Sequence, residues 1–310
     1  MPADKGAQLE GINPFFSLRR YRDDAQAEVS ETVMGFLVSS GLEGFAGAYP
    51  MSPAVLRHEL VLHPLLSLQA LAEAARELPA QHVERRIADA TNGGDFAIDS
   101  AAGGEAADII PSIETSGNWV MLRFVEQIPR YRDLLHSLMA ELDPAIAPLT
   151  GASRSLKGFI FISAPGTLTP FHFDAEYNIL FQIAGHKDFV TYPPEPPFLS
   201  RERREAYHRA GENMLPWQQG FEARGTTHHL TPGDALYVPY ASPHWVRAGS
   251  APSVSLSMTW QNDWSLAAGD ALAVNPLLRR FGLPADVPAW PHKPALRALG
   301  YRAARRTGLL

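Results

Sequence analysis

Short apolar segments separated by turn-forming residues dominate the second half of the sequence. These segments occupy residues 156–165, 169–174, 178–194, 232–239 and 253–261, and Gly or Pro lies beside most of them. Several short strands at this spacing are typical of an antiparallel sandwich or barrel. With 310 residues, of which 45% are hydrophobic, the chain is long enough to bury such a core. We therefore predict a mainly β fold.

Helical patterns flank this β region. The flanking predictions are helices at 24–41, ending at Gly41, at 52–60 and at 63–79, a long loop at 89–109, a strand at 117–125, a helix at 128–148 with Pro144 near its end, a charged helix or loop at 200–214, and helices at 264–282 and 293–306. We divide the chain into an N-terminal helical or mixed region (1–109), a β core (110–262) and a C-terminal helical tail (263–310).

Composition narrows the classes of protein to consider. The net charge of −6 disfavours nucleic acid as the main partner, and the absence of cysteine excludes disulfides and thiolate metal sites. The first twenty residues carry charges where a signal peptide needs an apolar run, which favours a cytoplasmic protein. No stretch approaches the ~18 apolar residues that a membrane-spanning helix requires.

The stretch TPFHFDAEYN, residues 169–178, places a histidine and an aspartate in an apolar setting. On a strand, His172 and Asp174 point to the same face, while the phenylalanines between and before them point to the other. An aspartate there needs water, an arginine or a metal as its partner. A metal would need another ligand, and His244 in YVPYASPHWVRAG, residues 237–249, is the best candidate.

Two histidines and one carboxylate on one face of an octahedron leave three positions open, as in non-haem Fe(II) oxygenases. A His–x–Asp triplet alone is a weak signal, and a structural pair remains the alternative. Lys187, in the strand after the Gly185 turn, strengthens the oxygenase hypothesis because a buried lysine needs an anion, which a dicarboxylate cosubstrate would supply. Thr169 and Asn178 are candidates to hydrogen-bond the same cosubstrate.

Together these residues resemble the JmjC/cupin-like branch of the 2-oxoglutarate-dependent oxygenases, which includes the asparaginyl hydroxylase of hypoxia-inducible factor. The H-F-D sequence at 172–174 is similar to the family's H-x-D/E motif, and His244 is similar to its distal histidine. Thr169 and Lys187 match the positions that bind the distal carboxylate of 2-oxoglutarate, and Asn178 matches a position near the iron. The resemblance covers residues 110–262.

The resemblance implies a double-stranded β-helix, or jelly-roll, core. It also implies Fe(II) as the metal and 2-oxoglutarate as a cosubstrate that is oxidatively decarboxylated to succinate while a C–H bond is hydroxylated. The substrate would be a peptide, a protein or a small molecule, and the C-terminal helices would form a homodimer. Such hydroxylases commonly use a tyrosine from an early strand to bind 2-oxoglutarate, but residues 117–125 contain none. Either Thr169 and Lys187 would then suffice, or Tyr177 or Tyr192 would replace the tyrosine.

Two other functions remain open. One is a non-catalytic metal-binding or regulatory cupin-like protein, and the other is a cupin that uses Zn or Mn for non-redox chemistry. Trp245 and Trp260 would line the site or, more often for tryptophan, pack in the core. His228 and His229 are neighbours on a strand and point to opposite faces, so they are poor candidates for one shared metal.

Overall fold

In the part of the chain that the structure describes, twelve strands form two antiparallel sheets. The computed structural model describes residues 35–87, 91–92, 98–99, 107–116, 118–287 and 289–308. The strands are β1 (Ala54–Arg57), β2 (Val83–Ile87), β3 (Ile98–Asp99), β4 (Asn118–Arg123), β5 (Arg154–Ser163), β6 (Leu168–His172), β7 (Tyr177–Ala184), β8 (Lys187–Thr191), β9 (Thr226–Leu230), β10 (Asp234–Val238), β11 (His244–Ala248) and β12 (Ser253–Gln261). The helices are α1 (Ser39–Ala48), α2 (Leu68–Glu77), α3 (Pro129–Thr150), α4 (Arg201–Ala210), α5 (Asp263–Arg280) and α6 (Ala295–Arg306).

The strand order is that of a double-stranded β-helix. The large sheet has the order β1-β10-β7-β12-β5-β4-β2-β3, and the small sheet has the order β6-β11-β8-β9. From β5 to β12 the chain passes repeatedly between the two sheets, so that each turn of the β-helix contributes to both. The predicted fold class, a mainly β jelly-roll core with helical flanks, is confirmed.

The predicted turn between β7 and β8 lies at Gly185. Its φ of +68° is in the left-handed region, which favours glycine, and a Cβ there would overlap the backbone carbonyl oxygen of Pro252. All of β7 except its last residue, Ala184, is buried, because this strand lies between β10 and β12 in the large sheet. The apolar residues of β7 and the glycine at the turn therefore both agree with the sequence prediction for this region.

Several flanking predictions are wrong. Residues 52–60 do not form a helix, because Ala54–Arg57 pairs with β10 as the edge strand of the large sheet. The predicted end of a helix at Gly41 instead lies inside α1, which begins at Ser39, and residues 24–34 of that predicted helix lie outside the described residues.

The remaining flanking predictions agree more closely with the structure. Helices α2, α3, α5 and α6, strand β4 and the helical alternative for 200–214 are all present. In the predicted loop 89–109, Ile98 and Asp99 form β3, and most of the other positions lie outside the described residues.

The proposed boundary at residue 110 separates elements that hydrogen-bond to each other. Strand β1 pairs with β10, and β2 pairs with β4, so both N-terminal strands extend the large sheet of the core. The division into 1–109, 110–262 and 263–310 stays a prediction. Among the described residues, no helix has both the length and the apolar character needed to cross a lipid bilayer.

Candidate metal centre and cosubstrate cavity

Three side chains that could bind one metal ion lie together at the wall of a cavity. The ligand atoms offered by His172, Asp174 and His244 all lie within 4.8 Å of one another. Asp174 Oδ2 is 3.9 Å from His172 Nε2 and 3.8 Å from His244 Nε2. The three predicted ligands therefore share one location, although His244 is far from the other two in the sequence.

Backbone carbonyls orient both imidazole rings. His172 Nδ1 donates to the Pro170 carbonyl at 2.7 Å, and His244 Nδ1 donates to the Ser242 carbonyl at 3.0 Å. Because a carbonyl only accepts, Nδ1 carries a proton in each ring, and Nε2, on the side of Asp174, is the atom available to a metal. Fixing the tautomer through the second ring nitrogen is how proteins usually orient histidine ligands of a metal.

The strands place the ligands by direct pairing and by a bulge. His172 at the end of β6 is the register partner of His244 at the start of β11. Two residues further along β11, Val246 pairs with Thr169, so β6 has one extra residue in this interval. This β-bulge allows Thr169 and His172 to face the same cavity although they are three residues apart. Asp174 lies just beyond the strand rather than on it, which corrects the expectation that both ligands are strand residues.

The histidines lie in a dry environment. His244 is 4% exposed, and the ring of Phe189 stacks on it at a centroid distance of 4.8 Å. Burial lowers the pKa of His244 well below its ordinary value of 6.5, and the neighbouring His172 adds to this effect. Both causes favour the neutral imidazole, which is the form that binds metals.

Lys187 lies fully inside the same cavity. Its ammonium donates to Ser255 Oγ at 2.7 Å and lies 5.4 Å from the centroid of the Phe161 ring. Burial lowers the pKa of Lys187 to about 7. A buried ammonium with one neutral acceptor and an aromatic face is well suited to bind an anionic group.

The other predicted cosubstrate residues also line the cavity. Thr169 is partly exposed there, and Asn178 is buried with its Oδ1 accepting from Ser257 Oγ at 2.7 Å. Thr259, the register partner of Asn178 on β12, is buried and lines the same cavity. Sequence reasoning missed Ser255, Ser257 and Thr259, although polar residues alternating along the apolar segment 253–261 were a visible signal.

The cavity has a volume of about 400 Å³, and its lining is partly aromatic and partly charged. Side chains of β4 and β5 line it, among them Trp119, Met121, Phe159 and Phe161. Lys157, which also lines it, pairs with Glu176 at 2.7 Å. Two other residues that line the cavity, Arg86 and Arg123, both pair with Glu84.

The tyrosines considered as substitutes do not line this cavity. Tyr177 packs against Trp260 with a centroid distance of 5.7 Å, and Tyr192 accepts a hydrogen bond from Trp245 Nε1 at 3.1 Å. Neither tryptophan lines the cavity. Tyr207 of α4, which sequence reasoning did not select, does.

The adjacent histidines on β9 also lie elsewhere. Their register partners are Asp188 and Phe189 on β8, and their side chains contact different residues. His228 Nε2 hydrogen-bonds with Thr191 Oγ1 at 3.1 Å, and His229 Nδ1 lies 2.6 Å from Asp188 Oδ1. The prediction that these two histidines do not share a metal agrees with these contacts.

The donor set fits a ferrous ion. Two imidazoles and one carboxylate form a 2-His-1-carboxylate group, which is diagnostic of non-haem Fe(II) sites with open coordination positions. The cavity beside the three residues provides space for further ligands.

Comparison with known proteins finds similarity over the β core. The family described as "Cupin-like domain" matches residues 123–265. The Jumonji C domain-containing protein 5 of Drosophila melanogaster is 29% identical over 110 residues, covering 33% of this chain and 27% of that protein.

Two solved structures of the ribosomal oxygenase YcfD from Escherichia coli are also similar. One is 17% identical, covers 84% of this chain and 61% of that chain, and has a TM-score of 0.48. The other, in complex with cobalt and 2-oxoglutarate, is 18% identical, covers 86% and 65%, and has a TM-score of 0.45. The chain thus spans less than two thirds of the length of each of these proteins. The match to the cupin-like family model, residues 123–265, includes all three candidate metal ligands.

Proposed function

We propose that this protein is an Fe(II)- and 2-oxoglutarate-dependent oxygenase that hydroxylates a C–H bond of a peptide, a protein or a small molecule. The observation that carries the proposal is the convergence of His172, Asp174 and His244 on one cavity that also holds the buried Lys187. A metal triad alone fits many cupins. A buried cation in the same cavity adds a site for an acidic cosubstrate.

Each residue has a distinct role in this proposal. His172 and His244 would bind the iron through Nε2, and Asp174 would bind it through a carboxylate oxygen. The bound iron would supply the redox chemistry that couples oxidative decarboxylation of 2-oxoglutarate to hydroxylation. Lys187 and Thr169 would hold the distal carboxylate of 2-oxoglutarate, and the amide of Asn178 would orient its other end.

The surroundings of these residues serve the same reaction. The aromatic side chains that line the cavity would exclude water around the reacting groups, which strengthens electrostatic interactions with the bound cosubstrate. Ser255 would keep the ammonium of Lys187 in place before the cosubstrate binds.

The direct test is anaerobic spectroscopy. Purified protein is mixed with Fe(II) and 2-oxoglutarate without oxygen, and the weak visible metal-to-ligand charge-transfer band is measured. We expect a band for the native protein and none for His172→Ala. Absence of the band at saturating iron would contradict the proposal. A regulatory cupin would release no succinate in air with any substrate, and a Zn or Mn cupin would be active without oxygen.

We further propose a homodimer formed by the C-terminal helices. Phe281 and Leu283 after α5 and Leu296 and Leu299 on α6 are exposed, with Leu296 at 88%. Exposed apolar groups of this size on neighbouring elements favour an interface. Sedimentation of the native protein and of Leu296→Glu/Leu299→Glu tests this. We also propose that the protein is cytoplasmic and that nucleic acid is not its main partner.

A further inference from the structure

The segment that follows α4 pairs with the end of β6, where His172 lies. The backbone N–H of Phe173 donates to the Asn213 carbonyl at 3.1 Å, and the N–H of Leu215 donates to the Phe171 carbonyl at 3.0 Å. Met214 and His172 form an antiparallel bridge between these two bonds. The inserted segment is therefore fixed at the backbone directly beside His172 and Asp174.

Helix α4, which precedes this segment, is in turn anchored on α5. Glu205 of α4 is 1% exposed and accepts hydrogen bonds from Arg279 and Asn275 of α5, the latter at 3.0 Å. His208, one turn further along α4, packs over Gly269, where a Cβ would lie 2.8 Å from the imidazole. These contacts hold α4 on α5 and limit the positions available to the residues that follow α4.

Asn213 uses this fixed position to contact a metal ligand. Its Nδ2 donates to Asp174 Oδ1 at 3.4 Å, a long hydrogen bond. The other oxygen of the same carboxylate, Oδ2, faces both imidazoles. Among the described residues, no other side chain donates a hydrogen bond to the Asp174 carboxylate. A carboxylate that is 34% exposed and beyond the end of its strand has rotational freedom that such a donor restricts.

We propose that Asn213 is a positioning residue for Asp174. It holds Oδ1 away from the histidines, so that Oδ2 faces His172 and His244. The inference rests on the proposed function, because it assigns Asn213 a role toward the metal that the triad would bind. Removing an outer-shell partner of a metal ligand typically lowers metal affinity by about ten- to hundredfold.

The test is a titration with Co(II), which reports on the ligand geometry through its visible spectrum. Four proteins are compared: native, Asn213→Ala, Asp174→Ala and the double variant. We expect Asn213→Ala to raise the Co(II) dissociation constant about tenfold and to change the visible band. In the Asp174→Ala background the same substitution should have no further effect, because the group that Asn213 positions is gone.

Two results would overturn the inference. One is a dissociation constant for Asn213→Ala within twofold of the native value with an unchanged spectrum. The other is an equal loss in the presence and absence of Asp174, which would show that Asn213 acts through the fold. Glu212→Ala changes the exposed neighbouring residue and is the matched control, and thermal unfolding of each variant checks folding.

The same experiment separates this inference from the proposed function. If the native protein binds no Co(II), the metal centre itself is wrong and the role of Asn213 is rejected with it. If the native protein binds Co(II) and Asn213→Ala binds it equally well with the same spectrum, only the inference fails. If Asn213→Ala binds Co(II) more weakly than the native protein, and this difference disappears in the Asp174→Ala background, the metal centre and the role of Asn213 are both supported.

Discussion

Replacing Lys187 with methionine should change cosubstrate affinity and fold stability in opposite directions. The Lys187 ammonium is fully buried, and Ser255 Oγ accepts one of its three potential hydrogen bonds. Methionine retains most of the apolar stem of lysine but removes the charge. The apo protein should gain stability, whereas 2-oxoglutarate should lose its cationic partner.

The magnitudes follow from the position of this lysine. Burial lowers the pKa of Lys187 from 10.5 to about 7, and 1.36 kcal/mol corresponds to each pKa unit, so the buried charge costs roughly 3–5 kcal/mol below pH 7. In the variant the Ser255 hydroxyl loses this hydrogen bond, which offsets about 1–3 kcal/mol of the stability gained by removing the charge. We expect Lys187→Met to be more stable than the native apo protein by about 2 kcal/mol. A hydrogen bond to a charged group contributes about 1.5–3 kcal/mol, so 2-oxoglutarate should bind about ten- to hundredfold more weakly.

The pH dependence gives a second measurement. Between pH 7 and about 10 the unfolded chain holds a proton on Lys187 that the folded chain has lost, so the stability of the native apo protein should rise with pH. Lys187→Met should lack this contribution. Denaturant unfolding at pH 7 and pH 9.5, together with anaerobic calorimetry of 2-oxoglutarate binding to the iron form, measures both effects. The matched control is Lys157→Met, because Lys157 lines the same cavity but is partly exposed and pairs with Glu176. A Lys187→Met protein that is less stable and binds 2-oxoglutarate normally would refute the reasoning.

Three further substitutions test other parts of the structure. His244→Ala should abolish Fe(II) binding, measured by equilibrium dialysis, while 2-oxoglutarate still binds weakly through Lys187; retention of iron would exclude His244 as a ligand. Glu205→Gln leaves Arg279 without its anionic partner and should lower the midpoint of denaturant unfolding. Gly185→Ala places a Cβ against the Pro252 carbonyl at a positive φ, so little folded protein should be recovered, whereas Gly166→Ala, also at a positive φ but in open space, should be milder.

The β core could be predicted from the sequence because its signals are local. The apolar run of β7, the turn at Gly185 and the segment of β12 each specify a strand without reference to distant residues. By contrast, β1 was predicted as a helix because Ala54–Arg57 contains no strong strand signal of its own. Its conformation is determined by pairing with β10, which lies far away in the sequence.

The candidate site shows the same difference between local sequence signals and contacts that exist only in the folded chain. His172, Asp174 and His244 were selected for their residue types, and the pairing of β6 with β11 places them together. Asn213 gave no signal, because its relevance depends on an inserted segment that returns to the side of β6. Ser255 was missed for a similar reason, since its contact with Lys187 is visible only when the two sheets face each other.

The bridge between His172 on β6 and His244 on β11 has a thermodynamic consequence. A complete set of metal donors exists only after the strands between them have assembled, so the disordered polypeptide offers no comparable site. Any ion that occupies the native triad therefore shifts the conformational equilibrium by mass action, in proportion to the logarithm of its free concentration above the dissociation constant. The supply of that ion would thus influence how long each molecule survives proteolysis.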